Sequence, residues 1–429
     1  MDIQFYDDEK PATGFYINAA SNYILDTVTN PQVGSTSGEW SVMDLARGGY
    51  TGFDYVNRLN ESDFNETYLS NLYAYIESKA GVLSTTKSTE YSRVTLALSA
   101  LNEQANPVGD TGLSIVDHLN TSFAFSKKQG INGPIWELIA LNTKDYNFSN
   151  ETGEGDWNTK GKMLDFILNA EIEGGGWSLF GAADPDITGM ALQALAPYYN
   201  HLSKYEETGA TVTYKEFMTK IDRAVQKLAT MQGENGGYTA WGNTNAESTA
   251  QVIVALTALG QDPTATQLSL PTLGTHVAFN DGVGTQDGVT TTNTIEAILS
   301  FYAAGSGQAV NSAGFRHVTT GYDGGGGSGV GVNAMATDQV LYALIAYDRY
   351  QKGENTLYDM TDAQSTYTAK SYTVTYVFKD GTTKQVSYAP YAAVDLLDTA
   401  AAWETAAKTS YASTETLAMP EKNITLYEK

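Results

Sequence analysis

The sequence predicts a mainly α protein: a closed α/α toroid of about six helix pairs, followed by a small C-terminal α+β module. Three observations carry this prediction. A glycine–aromatic turn recurs at a fixed distance before a threonine-bearing apolar helix. Helical periodicity dominates from about Thr13 to Tyr350. After about Met360 the texture changes to strand alternation. The toroid is therefore expected over residues 12–355 and the module over 365–429.

The recurrent unit is the most specific feature. Gly175-Gly176-Trp177 is followed eleven residues after the aromatic by Thr188, and seven later by Leu195. Gly236-Gly237-Tyr238 leads to Thr249 and Leu256 at the same spacings. Thr337 to Leu344 repeats the second half behind the run Gly324 to Gly327, and Thr294 to Phe301 repeats it more faintly. In each unit a flexible turn delivers the chain into a helix packed through small and aliphatic residues. Repetition of one supersecondary unit is the signature of a repeat architecture.

Apolar spacing then assigns the helices in order. They are Phe15–Val28, Trp40–Arg47, Glu66–Lys79, Tyr91–Leu101, Ser114–Phe125, Gly133–Asn142, Gly161–Ala170, Pro185–Tyr198, Tyr214–Met231, Ala246–Leu259, Thr291–Ala303 and Ala334–Tyr350. Ile187–Leu195, Thr249–Leu259 and Thr337–Ala346 are rich in small and apolar residues and are expected on the inside. Tyr214–Met231 is expected outside, because Phe217, Ile221, Ala224, Val225 and Leu228 form one stripe with its charges elsewhere. Segment Thr266–Phe279 fits helix and strand equally. In the C-terminal part Tyr372, Val374, Tyr376 and Phe378 alternate up to Lys379-Asp380-Gly381-Thr382, which predicts a hairpin. Val394–Ala407 reads as a helix, and Asn423–Tyr427 as a final strand.

Composition bounds the function. Among 429 residues, 49 are acidic and 25 basic, giving a formal charge of −24. Such a field repels phosphate backbones, so nucleic acid is not an expected partner. No apolar run reaches the ~18 residues needed to cross a bilayer, so no membrane insertion is expected. With no cysteine there are no disulfides, thiolate zinc sites or cysteine nucleophiles. His118, His201, His276 and His317 show no paired spacing, so no metal site is expected. The 28 tyrosines and the abundance of Gly, Ser, Thr and Asn suit an extracellular or cell-wall-associated protein. The start, Met1-Asp2-Ile3, has no signal-peptide pattern, so the chain is expected to be part of a longer multidomain surface protein.

Closure of the toroid would gather the starts of the inner helices at one mouth. Trp177, Tyr238 and Trp241 would reach it from the glycine turns. Asp186, Gln193, Glu247, Gln251, Asp338 and Gln339 would reach it from the helices. Aromatic platforms beside amide and carboxylate acceptors suit a flat ligand rich in hydrogen-bond donors. Asp184-Pro185-Asp186 also reads as a helix start: Asp184 as N-cap, Pro185 as first helical residue, Asp186 as the first-turn acid favoured by the helix dipole. Asn245 and Asn333 stand in matching places before Thr249 and Thr337.

Asp184–Leu195, Asn245–Gln251 with Val254–Gly260, and Met335–Gln339 with Tyr342–Leu344 resemble the terpenoid cyclase and protein prenyltransferase superfamily of α/α toroids. The subgroup they are most similar to is the transcobalamin- and intrinsic-factor-like domains of Gram-positive surface proteins. The resemblance covers about residues 12–350 and implies a non-catalytic ligand-binding or adhesion domain, with no cofactor and a glycan or a corrinoid as ligand. In the cobalamin carriers an aspartate directly before the threonine contacts the ligand, and that position here is Ile187. Class II cyclases protonate an alkene with the middle aspartate of an Asp-x-Asp-Asp motif, which makes Asp186 the weak catalytic candidate, with Ile187 in the fourth place. Two alternatives thus stand beside binding: an enzyme acting on a terpenoid or polysaccharide through mouth carboxylates such as Asp186, and a structural spacer of a surface protein.

Overall fold

A computed structural model describes residues 3–8, 12–147, 156–240, 242–279, 285–286, 289–290, 293–303, 312–321 and 330–429. The described residues are mainly helical, with a β part at the C-terminal end. Fifteen α-helices occur among them: α1 (Thr13–Thr27), α2 (Glu39–Gly48), α3 (Asp54–Glu61), α4 (Phe64–Ser78), α5 (Ser88–Ala100), α6 (Ile115–Asn120), α7 (Phe123–Ser126), α8 (Asn132–Asn142), α9 (Lys160–Asn169), α10 (Pro185–Leu195), α11 (Leu202–Glu206), α12 (Tyr214–Met231), α13 (Ala246–Ala258), α14 (Thr294–Leu299) and α15 (Ala334–Lys352).

Six of these carry buried residues on almost every side. Helix α2 packs on α5, α5 on α8, α8 on α10, α10 on α13, α13 on α15, and α15 on α2. The remaining helices lean on them from one side, as α12 does on α10 and α9 on α8. Their composition follows this placement. All residues of α13 from Ala246 to Thr257 are buried, whereas α12 buries Phe217, Ile221, Ala224, Val225 and Leu228 and turns most of its charge outward. Gly189 sits where a Cβ would lie 2.8 Å from the Gln251 carbonyl oxygen, so glycine there lets α10 and α13 approach closely.

The glycine–aromatic–threonine repeat has a concrete cause. The Trp177 amide donates to Thr188 Oγ1 (2.9 Å), the Tyr238 amide to Thr249 Oγ1 (3.1 Å), and the Phe315 amide to Thr337 Oγ1 (3.0 Å). A hydroxyl inside each helix thus pins the incoming turn. The glycine before the aromatic makes room for it: a Cβ at Gly176 would stand 2.8 Å from Thr188 Oγ1, and one at Gly314 would stand 2.7 Å from Thr337 Oγ1. The third unit therefore uses Gly314-Phe315; the run Gly324 to Gly327 lies outside the described residues.

Several expected elements differ. Ser114–Phe125 is two short helices, because Ser114 and Ser122 each cap a new start by accepting from Asp117 N and Ala124 N. Thr291–Ala303 shrinks to α14, and Tyr302–Ala303 pairs with Gly314–Phe315 instead. Thr266–Phe279 resolves as a hairpin, Leu268–Leu270 against Thr275–Val277. Helices α3 and α11 have no counterpart in the periodicity reading.

Beyond Lys352 there is no helix. Arg47 and Arg349, both fully buried, hold the connecting segment: Arg47 Nη1 meets Asp362 Oδ1 at 2.7 Å, Arg47 Nε donates to the Leu357 carbonyl at 2.8 Å, and Arg349 pairs with the same Asp362. The hairpin Tyr372–Val377 and Thr383–Tyr388 forms as expected, and Ile424–Glu428 runs parallel to its first strand. Val394–Ala407 forms no helix: it contains parts of two short strands, Ala393–Asp395 and Ala402–Glu404, joined by a turn, which makes this part β rather than α+β. The reason is a period of two: Val394 and Leu396 are buried and Asp395 between them is exposed. Val394, Leu396 and Trp403 join Val374, Tyr376 and Leu426 in a second apolar cluster, separate from the helical one. Ile3–Phe5 completes this part by pairing in parallel with Thr416–Ala418.

Candidate ligand-binding site

Helices α10, α13 and α15 begin with a capping side chain. Asp184 accepts from the Ile187 amide, Asn245 from the Ser248 amide and Asn333 from the Ala336 amide, each at 2.8 Å. These starts, with those of α2 and α8, surround a cavity of about 750 Å³. Its size lies in the range of small-molecule sites, roughly 300–1,000 Å³.

The walls are apolar and aromatic. Trp40 from α2 and Trp136 from α8 meet edge to face at 5.2 Å between ring centroids, and Tyr342 from α15 lies 6.0 Å from Trp40. Met190, Met231 and Met335 add flexible surface, and Phe180, 88% exposed, overhangs the entrance. The floor is an amide ladder. Gln193 Nε2 donates to Gln251 Oε1 (2.9 Å), and Gln251 Nε2 donates to Gln339 Oε1 (3.0 Å) and to the Tyr342 hydroxyl (2.5 Å). It stands between the mouth and a second cavity, about 390 Å³, at the opposite helix ends, which Gln193 lines.

Acid is the other component. Asp184, Asp186 and Glu247 line the mouth. His317 Nδ1 lies 2.5 Å from Glu247 Oε2, and the His317 carbonyl accepts from the Ala246 amide, which fixes the ring beside the start of α13. Glu247 Oε1 and Asp186 Oδ1 are buried without a hydrogen-bond partner. Burial pushes the Asp186 carboxyl up to about 6. Asp184 and Glu247 add to that, while Ser248, close by without a well-formed hydrogen bond to Oδ1, and His317 oppose it.

Of the residues expected at the mouth, Asp186, Glu247, Gln251 and Gln339 are there. Trp177 and Tyr238 are not: both are fully buried in the helical core, and Trp177 Nε1 donates to the Ile167 carbonyl at 2.7 Å. The threonine clamp turns these aromatics inward. Asp338 points away from the cavity, accepting from Ser41 Oγ at 2.9 Å, and burial pushes its carboxyl up to about 7. Gln193 lies on the far side of the amide ladder. Trp241 is outside the described residues. Sequence reasoning missed His317, Trp40, Trp136 and Tyr342. Both tryptophans fall in the first half of an apolar helix, a position that puts a side chain near the mouth once the helix is known to be an inner one.

Among the described residues no group of three or more His, Asp or Glu side chains gathers as a metal ion would need, and no helix is long and apolar enough to cross a membrane. The chain matches no family model and no curated protein. Among solved structures, haptocorrin in complex with Cbi aligns over 99% of each chain, at 13% identity and a TM-score of 0.48. At that identity and score the likeness transfers no ligand.

Proposed function

We propose that α2, α5, α8, α10, α13 and α15 close into an α/α toroid over residues 12–355, and that this toroid is a non-catalytic ligand-binding domain. The unbroken sequence of neighbour contacts around the six helices supports closure. The observation that carries the binding reading is the mouth itself: aromatic walls, a polar amide floor and carboxylates without a full set of partners converge on a space of about 750 Å³. A domain serving only as a spacer gains nothing from such a space. The setting we propose is a secreted or cell-wall-associated protein with further domains, in keeping with the tyrosine-rich, polar composition. The ligands to try first are cell-surface glycans and corrinoids, the classes implied by the toroid resemblance. The test is titration of the whole chain with both panels, followed through tryptophan fluorescence, with Trp136→Ala as control. Binding that disappears in the variant supports the reading, and silence from every ligand together with an unresponsive mouth refutes it.

A second reading has one observation in its favour. Asp186 is largely buried beside aromatic walls and holds its proton more tightly than an ordinary carboxyl, as a general acid must. Turnover of a terpenoid or polysaccharide abolished by Asp186→Asn would establish it.

A further inference from the structure

We propose that the mouth selects a small amphiphilic cation: an ammonium or guanidinium group joined to an aromatic or aliphatic body. The inference rests on the binding reading above and adds the chemical class of the ligand.

The first argument is charge. Three carboxylates, Asp184, Asp186 and Glu247, line the cavity, and no lysine or arginine does so among the described residues. The sequence between 241 and 329 that is not described contains none either. Among the described residues His317 is the one basic side chain in the lining. Even protonated, it offsets a single charge and leaves two negative ones. A buried carboxylate lacking a partner is costly, and an incoming cation removes that cost.

The second argument concerns the rival class. Helix N-termini attract anions, and five of them face this mouth, those of α2, α8, α10, α13 and α15. Three of them are already answered by side chains. Asp184, Asn245 and Asn333 each take one first-turn amide of α10, α13 and α15, and Asp186 and Glu247 sit in the first turns of α10 and α13. An anion would meet carboxylates where it needs donors.

The third argument is the wall. Trp40 meets both Trp136 and Tyr342, and all three present rings within the same cavity. Aromatic faces attract cations and also bury an apolar body. Glu247 is 8% exposed, with Oε1 unpartnered, so its charge is shielded little by water and is held at one place by His317.

The test uses three probes of nearly equal shape on the full chain: 2-(1-naphthyl)ethylamine, 2-(1-naphthyl)ethanol and 1-naphthylacetate. Binding is measured by calorimetry and by ligand-observed NMR at pH 7.5. The expected order is amine tightest, at least tenfold over the alcohol, with the acid weakest. Glu247→Gln and Asp186→Asn are each expected to shrink the amine-to-alcohol ratio severalfold while leaving alcohol binding in place. Retained alcohol binding shows that the variants still fold and still form the mouth. Equal binding of amine and alcohol, or an acid that binds best, overturns the cation inference and leaves the binding reading standing. Failure of all three probes also overturns the cation inference, while the binding reading stands or falls on the glycan and corrinoid titrations.

Discussion

Two threonines on one helix separate the clamp from ordinary packing. Thr249 and Thr257 both lie on α13 and are both buried, at 0% and 4% exposure. Thr249 Oγ1 accepts from the Tyr238 amide at 3.1 Å while donating to the Asn245 carbonyl at 2.8 Å. Thr257 Oγ1 only donates, to the Ile253 and Val254 carbonyls within its own helix. Valine has nearly the same shape as threonine, so Thr→Val changes little except the hydroxyl. At 249 it leaves the buried Tyr238 amide without an acceptor, which costs about 1–3 kcal/mol. At 257 the carbonyls keep their helical partners, so the same change should fall within about 0.5 kcal/mol of wild type. Urea unfolding followed by far-ultraviolet circular dichroism compares the two, with equal m-values as the condition for reading midpoints as stability. Equal losses at both positions would mean that the eleven-residue spacing reflects packing and not the clamp.

Asp184→Ala removes the N-cap of α10 and should cost roughly 0.5–2 kcal/mol in the same assay. Gly176→Ala forces a side chain into φ 84° and against Thr188 Oγ1, so it should destabilise more than Gly174→Ala, whose φ of 86° is also positive but whose Cβ would meet nothing within 4 Å. Asp338 titrates near 7 when folded and near 3.8 when unfolded, so its contribution to stability is fully present below about pH 4 and is lost as pH rises through 7. Asp338→Asn should therefore gain on wild type between pH 4.5 and 8, by on the order of a few kcal/mol at the upper end, and unfolding midpoints across that range would show a flatter profile for the variant.

The fold was legible where one local rule acted alone. The caps of α10, α13 and α15 and the Asp-Gly hairpin each depend on residues close in sequence. Val394–Ala407 failed for the opposite reason: an alanine-rich stretch with good helix propensity is held as two short strands and a turn by Val394, Leu396 and Trp403, whose partners lie elsewhere in the chain. The site divides in the same way. Asp186 and Glu247 could be placed from their distance past a cap. His317 reaches Glu247 only because the strand Gly314–Phe315 is pinned by Thr337, a link across many residues that no local spacing signals. Trp177 and Tyr238 were placed at the mouth because they follow flexible glycines, yet those glycines exist to bring the aromatic backbone under the threonine, which buries the ring.

That inversion bears on what the mouth is for. If the recurring geometry of the repeats served only to build a rigid stalk, the aromatic inserted by each turn would be enough, and the space above the amide ladder could be filled with leucine. Instead the chain leaves Trp40 and Trp136 half-buried, keeps Met190 and Met335 at the rim, and places Asp186 and Glu247 where each has a buried oxygen without a partner. An unanswered buried polar group costs about 1–3 kcal/mol, and a void forfeits packing besides. Replacing Asp186 with leucine should then stabilise the chain if the mouth has no ligand to lose, and should stabilise it while abolishing amine binding if it has. The second outcome, stability gained and binding lost in one substitution, is what a functional site predicts. Stability lost on that substitution would mean that the carboxylate is already satisfied by the fold and that the mouth is part of the scaffold.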